Sequence, residues 1–253
     1  FEDFRQPQPE LAPGMEGELE EVVRILAQNR WPWRMHATYD ETIERALNVF
    51  EKVNQDTPLA GLNWFFDHAE TISEKSIDRI AALGGGVAVQ HRMAYQGEYF
   101  VERYGAAAAE ATPPVKRMLE KGVNVSAGTD ATRVASYNPW TALYWLVSGK
   151  TVGGTTLNPQ GLPRDTALQL FTHGSAWFSS EQGKKGQIKV GQLADLELAA
   201  HGWLLPCSWP PLLAGAGSSS RSCCNCCGVK IAVTRLLPSL PLDSACSRPS
   251  ARL

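Results

Sequence analysis

Cysteine is missing from most of this 253-residue chain: the first is Cys207, and the other five are Cys223, Cys224, Cys226, Cys227 and Cys246. A body without cysteine carries no disulfide framework and needs no oxidising compartment, so a cytoplasmic location is the expectation. Long apolar runs are also absent. No stretch approaches the ~20 residues of a membrane span, and no basic-then-apolar leader opens the chain. Nor is there an excess of one charge. Lys and Arg number 24 against 26 Asp and Glu, a formal charge of -2, which points to neither nucleic acid nor a membrane as partner. The chain opens on Phe1 rather than Met, as a fragment or processed product would.

What is present is a recurring form. In Val123 to Thr132, VNVSAGTDAT, Val123 and Val125 alternate with small or polar residues, Gly128 permits a turn, and Asp130 stands at the exit. This predicts a short buried strand that delivers one carboxylate at its C-terminal end. Trp33-Arg34-Met35-His36 and the stretch Leu62 to His68 have the same form, each an apolar run ending on histidine before a helix-start signal. On a parallel α/β sheet or barrel that end carries ligands and chemistry. His36, His68 and Asp130 are therefore expected on one rim, where two imidazoles and a carboxylate make a candidate metal site.

Between these strands the periodicity is helical. Leu19, Val22, Val23 and Leu26 form one amphipathic stripe, and Ile43, Ala46, Leu47 and Phe50 form a second. Thr71 with Glu74 reads as a capping box ahead of Ile77 and Ile80, and Gly84-Gly85-Gly86 leads into the strand Val87 to Gln90. Short helices are expected from Glu98 to Tyr104, after Pro113-Pro114, after the cap Asn138-Pro139, and around 165–171 and 175–181. Gly186 to Leu196 has strand character about a Gly-centred turn. Strand ends near 36, 67, 90 and 128 recur about every 30 residues, the allotment of one unit in a (β/α)₈ barrel of ~250 residues. Four units make half of one.

From about Ala199 the character changes. Asp243 is the one acidic residue there against Arg221, Lys230, Arg235, Arg248 and Arg252, and scattered prolines interrupt any helical or strand period. This reads as sequence not selected to fold, from a reading-frame error or an appended exon. The adjacent cysteines at 223–224 and 226–227 have no second cluster in the sequence to complete the four ligands of a zinc site.

Singly, each candidate has a plain structural role: a hydrogen-bonded histidine at a strand end, or an Asp that caps a helix. Together, MHATYDETIERALNVFEKV, WFFDHAE, VSAGTDAT and the closing GKKGQIKVGQLADLEL resemble the amidohydrolase superfamily of metal-dependent hydrolases, over roughly residues 15 to 197. Within it the chain resembles the branch acting on N-substituted amides and formamides. The resemblance implies the C-terminal half of a (β/α)₈ TIM-type barrel. Residues 1–185 would hold strands 5–8 with their helices, 186–198 the start of a small β-domain, and 199–253 an irregular Cys/Pro-rich tail outside the native fold.

Carried over by residue, the resemblance implies His36 and His68 as metal ligands after the fifth and sixth barrel strands. Asp130 is implied after the eighth, as metal ligand and as proton shuttle for the water that attacks the substrate. Gln90, His91 and Arg92 at the seventh exit are implied as substrate contacts, and Glu70 reads as a solvent or helix-start residue. The cofactor would be a divalent metal, zinc by ligand type, and the substrate a small amide-type molecule cleaved at a non-peptide carbon-nitrogen bond. The family's first-strand H-x-H pair and its bridging ligand are not in this chain and would lie upstream of Phe1. Two alternatives stay open: an inactive truncated or frame-shifted remnant, and a module whose Cys-rich tail captures metal.

Overall fold

A computed structural model describes Ala12 and residues 14–110, 112–131 and 134–195. The expected tail from 199 onward, with all six cysteines, lies outside the described residues.

Four strands, β1 (Trp33–Ala37), β2 (Trp64–His68), β3 (Gly86–Gln90) and β4 (Asn124–Gly128), form one sheet in the order β1-β2-β3-β4. Every neighbouring pair is parallel. Sequential order without reversal is the path of a barrel; a doubly wound sheet turns back at a switch point. The chain is therefore α/β with a singly wound parallel sheet. Helices supply the crossovers: α1 (Met15–Gln28) and α2 (Asp40–Asp56) flank β1, α3 (Glu74–Leu83) follows β2, and α4 (Met93–Tyr104), α5 (Ala106–Ala109) and α6 (Val115–Glu120) join β3 to β4. After β4 come α7 (Pro139–Ser148), α8 (Arg164–Phe171) and α9 (His173–Phe178).

Strand alternation divides the side chains between two faces. Trp64, Phe66, Val87, Val89, Val125 and Ala127 point toward the helices and are buried. There Phe50 of α2 stacks on Phe66, with ring centroids 5.7 Å apart, and meets Trp64 edge-on at 5.1 Å. All four residues of the second expected stripe, Ile43, Ala46, Leu47 and Phe50, are buried in this layer. The first stripe is rotated: α1 buries Val23 and Ala27 but leaves Val22 more than half exposed, because its main packing partner is α2.

The opposite face carries Arg34, Phe65, Asp67, Gly86, Ala88, Gln90, Asn124 and Ser126 by the same register. Its strand-start end is covered by α9. Phe178 meets Phe65 at 4.6 Å, and the Trp177 carbonyl accepts from Asn63 Nδ2. A Cβ at residue 86 would lie 2.8 Å from the Trp177 ring, so this close approach needs glycine. The strand-exit end is left for the candidate site.

Local signals mark several helix ends. Asn138 caps α7 by accepting from the Trp140 amide at 2.9 Å, with Pro139 at the first turn as expected. The cap of α3 differs: Ser73, not Thr71, accepts from the Ser76 amide at 3.2 Å. Thr71 is held elsewhere, its amide donating to the Thr38 carbonyl beyond β1. Helix α4 also begins earlier than Glu98, at Met93. The strand expected at Gly186 to Leu196 is not formed over 186–195, which is a series of turns. A strand needs a partner edge: among the described residues Ile188 and Val190 have exposed side chains and no edge to join, and Leu193 only closes a turn, its amide donating to the Lys184 carbonyl at 2.8 Å.

Candidate metal centre at the strand exits

His36 is the fourth residue of β1 and His68 the last of β2, while Asp130 follows the end of β4 by two residues. All three stand at the C-terminal rim of one parallel sheet, as the sequence pattern requires. Register sets His36 opposite Asp67, and Ala37 opposite His68. By strict alternation His68 would share the helix-facing side with Phe66. The backbone breaks that alternation: His68 has φ 82° and Ala69 φ 55°, both left-handed. Each such residue costs roughly 1–2 kcal/mol. Ala69 is held there by donating its amide to the Ala37 carbonyl at 2.9 Å, and its side chain is fully buried. The turn brings the His68 ring to the His36 ring, centroids 4.5 Å apart at 69°. Asp130 is also left-handed, at φ 48°. Strain of this kind concentrates where a side chain must be aimed.

The electrostatics favour neutral imidazole at His68. Burial, and next the neighbouring His36, hold its pKa below the ordinary range; Asp130 and Asp67 pull it up and Arg92 pushes it down. A neutral ring offers a lone pair, the form in which histidine ligates metal. His36 and Asp130 are exposed, so the rim is open. Two imidazoles in ring contact, one held neutral, and a carboxylate within electrostatic reach suit a borderline divalent ion. Among the described residues, however, no three of His, Cys, Asp and Glu stand close enough together to hold one.

The β3 exit divides into three roles. Gln90 is half-buried and donates from Nε2 to the Ala88 carbonyl at 3.0 Å, with alternation placing it on the inner face. His91 is 1% exposed, edge-on to Tyr95 at 5.8 Å. Its burial pushes its pKa down to about 4, against the opposing pull of the Gly128 backbone. Arg92 is buried and donates from Nε to Gln96 Oε1 at 3.1 Å.

Glu70 is not the solvent or helix-start residue that the sequence suggested. It is 1% exposed, with Oε1 3.9 Å from His68 Nδ1 and 3.9 Å from Arg92 Nη1. No periodicity could have shown this, because the left-handed turn at 68–69 ends the strand alternation just before it. Asp67 on the inner face accepts from Arg34 Nε at 2.7 Å; its partner is largely exposed, and the pair contributes little beyond orientation.

Comparison with known proteins agrees with this architecture. The 5-methylthioadenosine/S-adenosylhomocysteine deaminase of Syntrophobacter fumaroxidans is 28% identical over 178 residues, 68% of this chain and 38% of that protein. Among solved structures, an uncharacterized metal-dependent hydrolase from Pyrococcus horikoshii superposes with a TM-score of 0.58 at 22% identity, covering 70% of this chain and 35% of that one. An adenosine deaminase from Xanthomonas campestris with bound Zn superposes with a TM-score of 0.51 at 17% identity, covering 71% and 39%. The chain thus spans less than two fifths of the length of each of these three proteins. Residues 2–199 match the amidohydrolase family, and the chain belongs to that family.

Proposed function

We propose that these residues form the last four strand–helix units of a (β/α)₈ barrel that hydrolyses a carbon-nitrogen bond, other than a peptide bond, in a small amide-type molecule. The observation that carries this reading is the His36–His68 ring contact at the exit rim of a singly wound parallel sheet. His36 and His68 would hold a divalent ion, zinc by ligand type, with Asp130 as the third ligand. When bound, such an ion lowers the pKa of water to about 7 and polarises a substrate carbonyl. Asp130, exposed at the rim, would take a proton from the attacking water and return it to the departing nitrogen. The hydroxyl ends on the carbonyl carbon, the carbon-nitrogen bond breaks, and the nitrogen leaves protonated. Gln90, on the inner face, and His91 and Arg92 beside it would shape the substrate end of the mouth. The nucleoside deaminase among the relatives is consistent with attack of water at a carbon that bears nitrogen.

A second reading is supported by the ligand shortfall among the described residues: a chain of this family that does not assemble the site by itself. Elemental analysis of purified, monodisperse protein beside His36→Ala, His68→Ala and Asp130→Ala separates the two. About one ion per chain, lost in the variants, supports the metal centre. Metal-free protein, with all variants alike, supports the second reading.

A further inference from the structure

The inner face of the sheet carries a charged pair that the hydrolytic reading leaves without a task. Arg34 stands two residues before His36 on β1, so the two share that face. Barrel strands ordinarily fill such positions with Val, Ile or Leu. Arg34 is instead pinned in two ways. Its Nε donates to Asp67 Oδ2 at 2.7 Å, and its guanidinium carbon lies 5.9 Å from the Phe65 ring centroid, within cation–π range. The Asp67 side chain is 7% exposed, whereas that of Arg34 is 70% exposed. A guanidinium has five donors, and Asp67 takes the one on Nε. Among the described residues the two Nη groups meet no acceptor. Asp67 is also the register partner of His36, so this open fork stands level with the exit rim.

Given the reading of the strand exits as a substrate mouth, on which this rests, we propose that Arg34 is a substrate-binding residue. Its Nη pair is a preset fork for an oxyanion, and the small amide that enters the mouth carries a carboxylate. Planar, bidentate recognition of carboxylate or phosphate is what the guanidinium geometry matches. Asp67 and Phe65 hold the fork in advance, which removes part of the ordering cost that a free arginine would bear on binding. Asp67 also offsets the charge of Arg34. Discrimination therefore comes from directed hydrogen bonds more than from long-range attraction, and charge-assisted bonds of this kind change affinity by about 10- to 100-fold.

The test is a ligand-observed NMR titration of the full chain, without added metal, with N-acetylglycine, its uncharged analogue N-acetylglycinamide, and inorganic phosphate. Wild type is expected to bind the acid about 10- to 100-fold more tightly than the amide. Arg34→Gln and Arg34→Lys should abolish that preference and keep the wild-type circular dichroism. The lysine leaves a cation beside Asp67 but lacks the fork, and it decides the matter where the glutamine variant does not fold. Equal affinities for acid and amide, no binding of the acid, or an unchanged preference in the variants would overturn the proposal. Phosphate bound more tightly than the acid would overturn the assignment to a carboxylate. Acid binding through Arg34 by protein that takes up no zinc in elemental analysis would sustain the fork and refute the metal centre. Zinc uptake without preference for the acid would do the reverse, so the two failures are distinguishable.

Discussion

The helix-facing side of the sheet and its exit rim are built from the same four strands, and they follow opposite rules. On the helix-facing side, regular alternation buries Trp64, Phe66, Val87 and Val125 against α2 and the other helices with extended backbone throughout. At the rim the backbone turns left-handed at His68, Ala69 and Asp130, polar groups are buried, and His36 and Asp130 are exposed. One region gains from burying apolar surface, about 1.5–3 kcal/mol per large side chain. The other accepts strain and desolvation to place imidazoles and carboxylates. Sites that break local rules in this way are where function is expected.

Perturbing each region should reveal that division. The largest effect is expected from Phe66→Ala, which empties the stack with Phe50. It should lower stability by about 3–5 kcal/mol in chemical denaturation, and metal binding should weaken only through loss of folded protein. The next concerns His91, whose folded pKa is depressed to about 4 by burial. The unfolded chain binds the proton more readily, so stability is intact above pH ~6.5 and falls as pH drops toward 4, by about 3 kcal/mol in all. Below pH 4 both states are protonated at this residue and its contribution no longer changes. Denaturation midpoints between pH 7 and 4 should show this slope, and His91→Gln should reduce it, leaving the share of the same sign that buried His68 contributes.

Smaller effects belong to the helix ends and the surface. Ser73→Ala removes the cap of α3 and should cost about 1 kcal/mol, whereas Thr71→Ala should leave that cap intact. The smallest change is expected from Glu74→Gln. It breaks an ion pair with Arg117 whose two side chains are both substantially exposed, and it should shift stability by less than about 1 kcal/mol, less still in high salt. If Glu74→Gln proved more damaging than Phe66→Ala, the contrast between apolar layer and polar surface would be wrong.

Much of the helix-facing layer was legible in the sequence. The stripe Ile43, Ala46, Leu47, Phe50 names the buried face of α2, and Asn138-Pro139 names the start of α7. The four strands lie where the apolar runs placed them, with histidine or glycine at the exits. Periodicity failed where burial was not decided by the local element. Helix α1 shows an amphipathic pattern, yet its partner is α2, and that choice exposes Val22 and Ile25. In 186–195, Ile188 and Val190 alternate like a strand but have no edge to join among the described residues.

By itself, then, the sequence determined that four short strands would alternate with helices and end on His36, His68 and the approach to Asp130. Those signals are local: side-chain period, caps and glycine turns reside within a dozen residues. Only the tertiary structure decided which face His68 would take, that α9 would close the strand-start end of the inner face, and that Glu70 would be buried beside Arg92. Each of these depends on backbone torsions or partners from separate strands and helices. A left-handed turn of two residues redirects a side chain without leaving any mark on the period that precedes it.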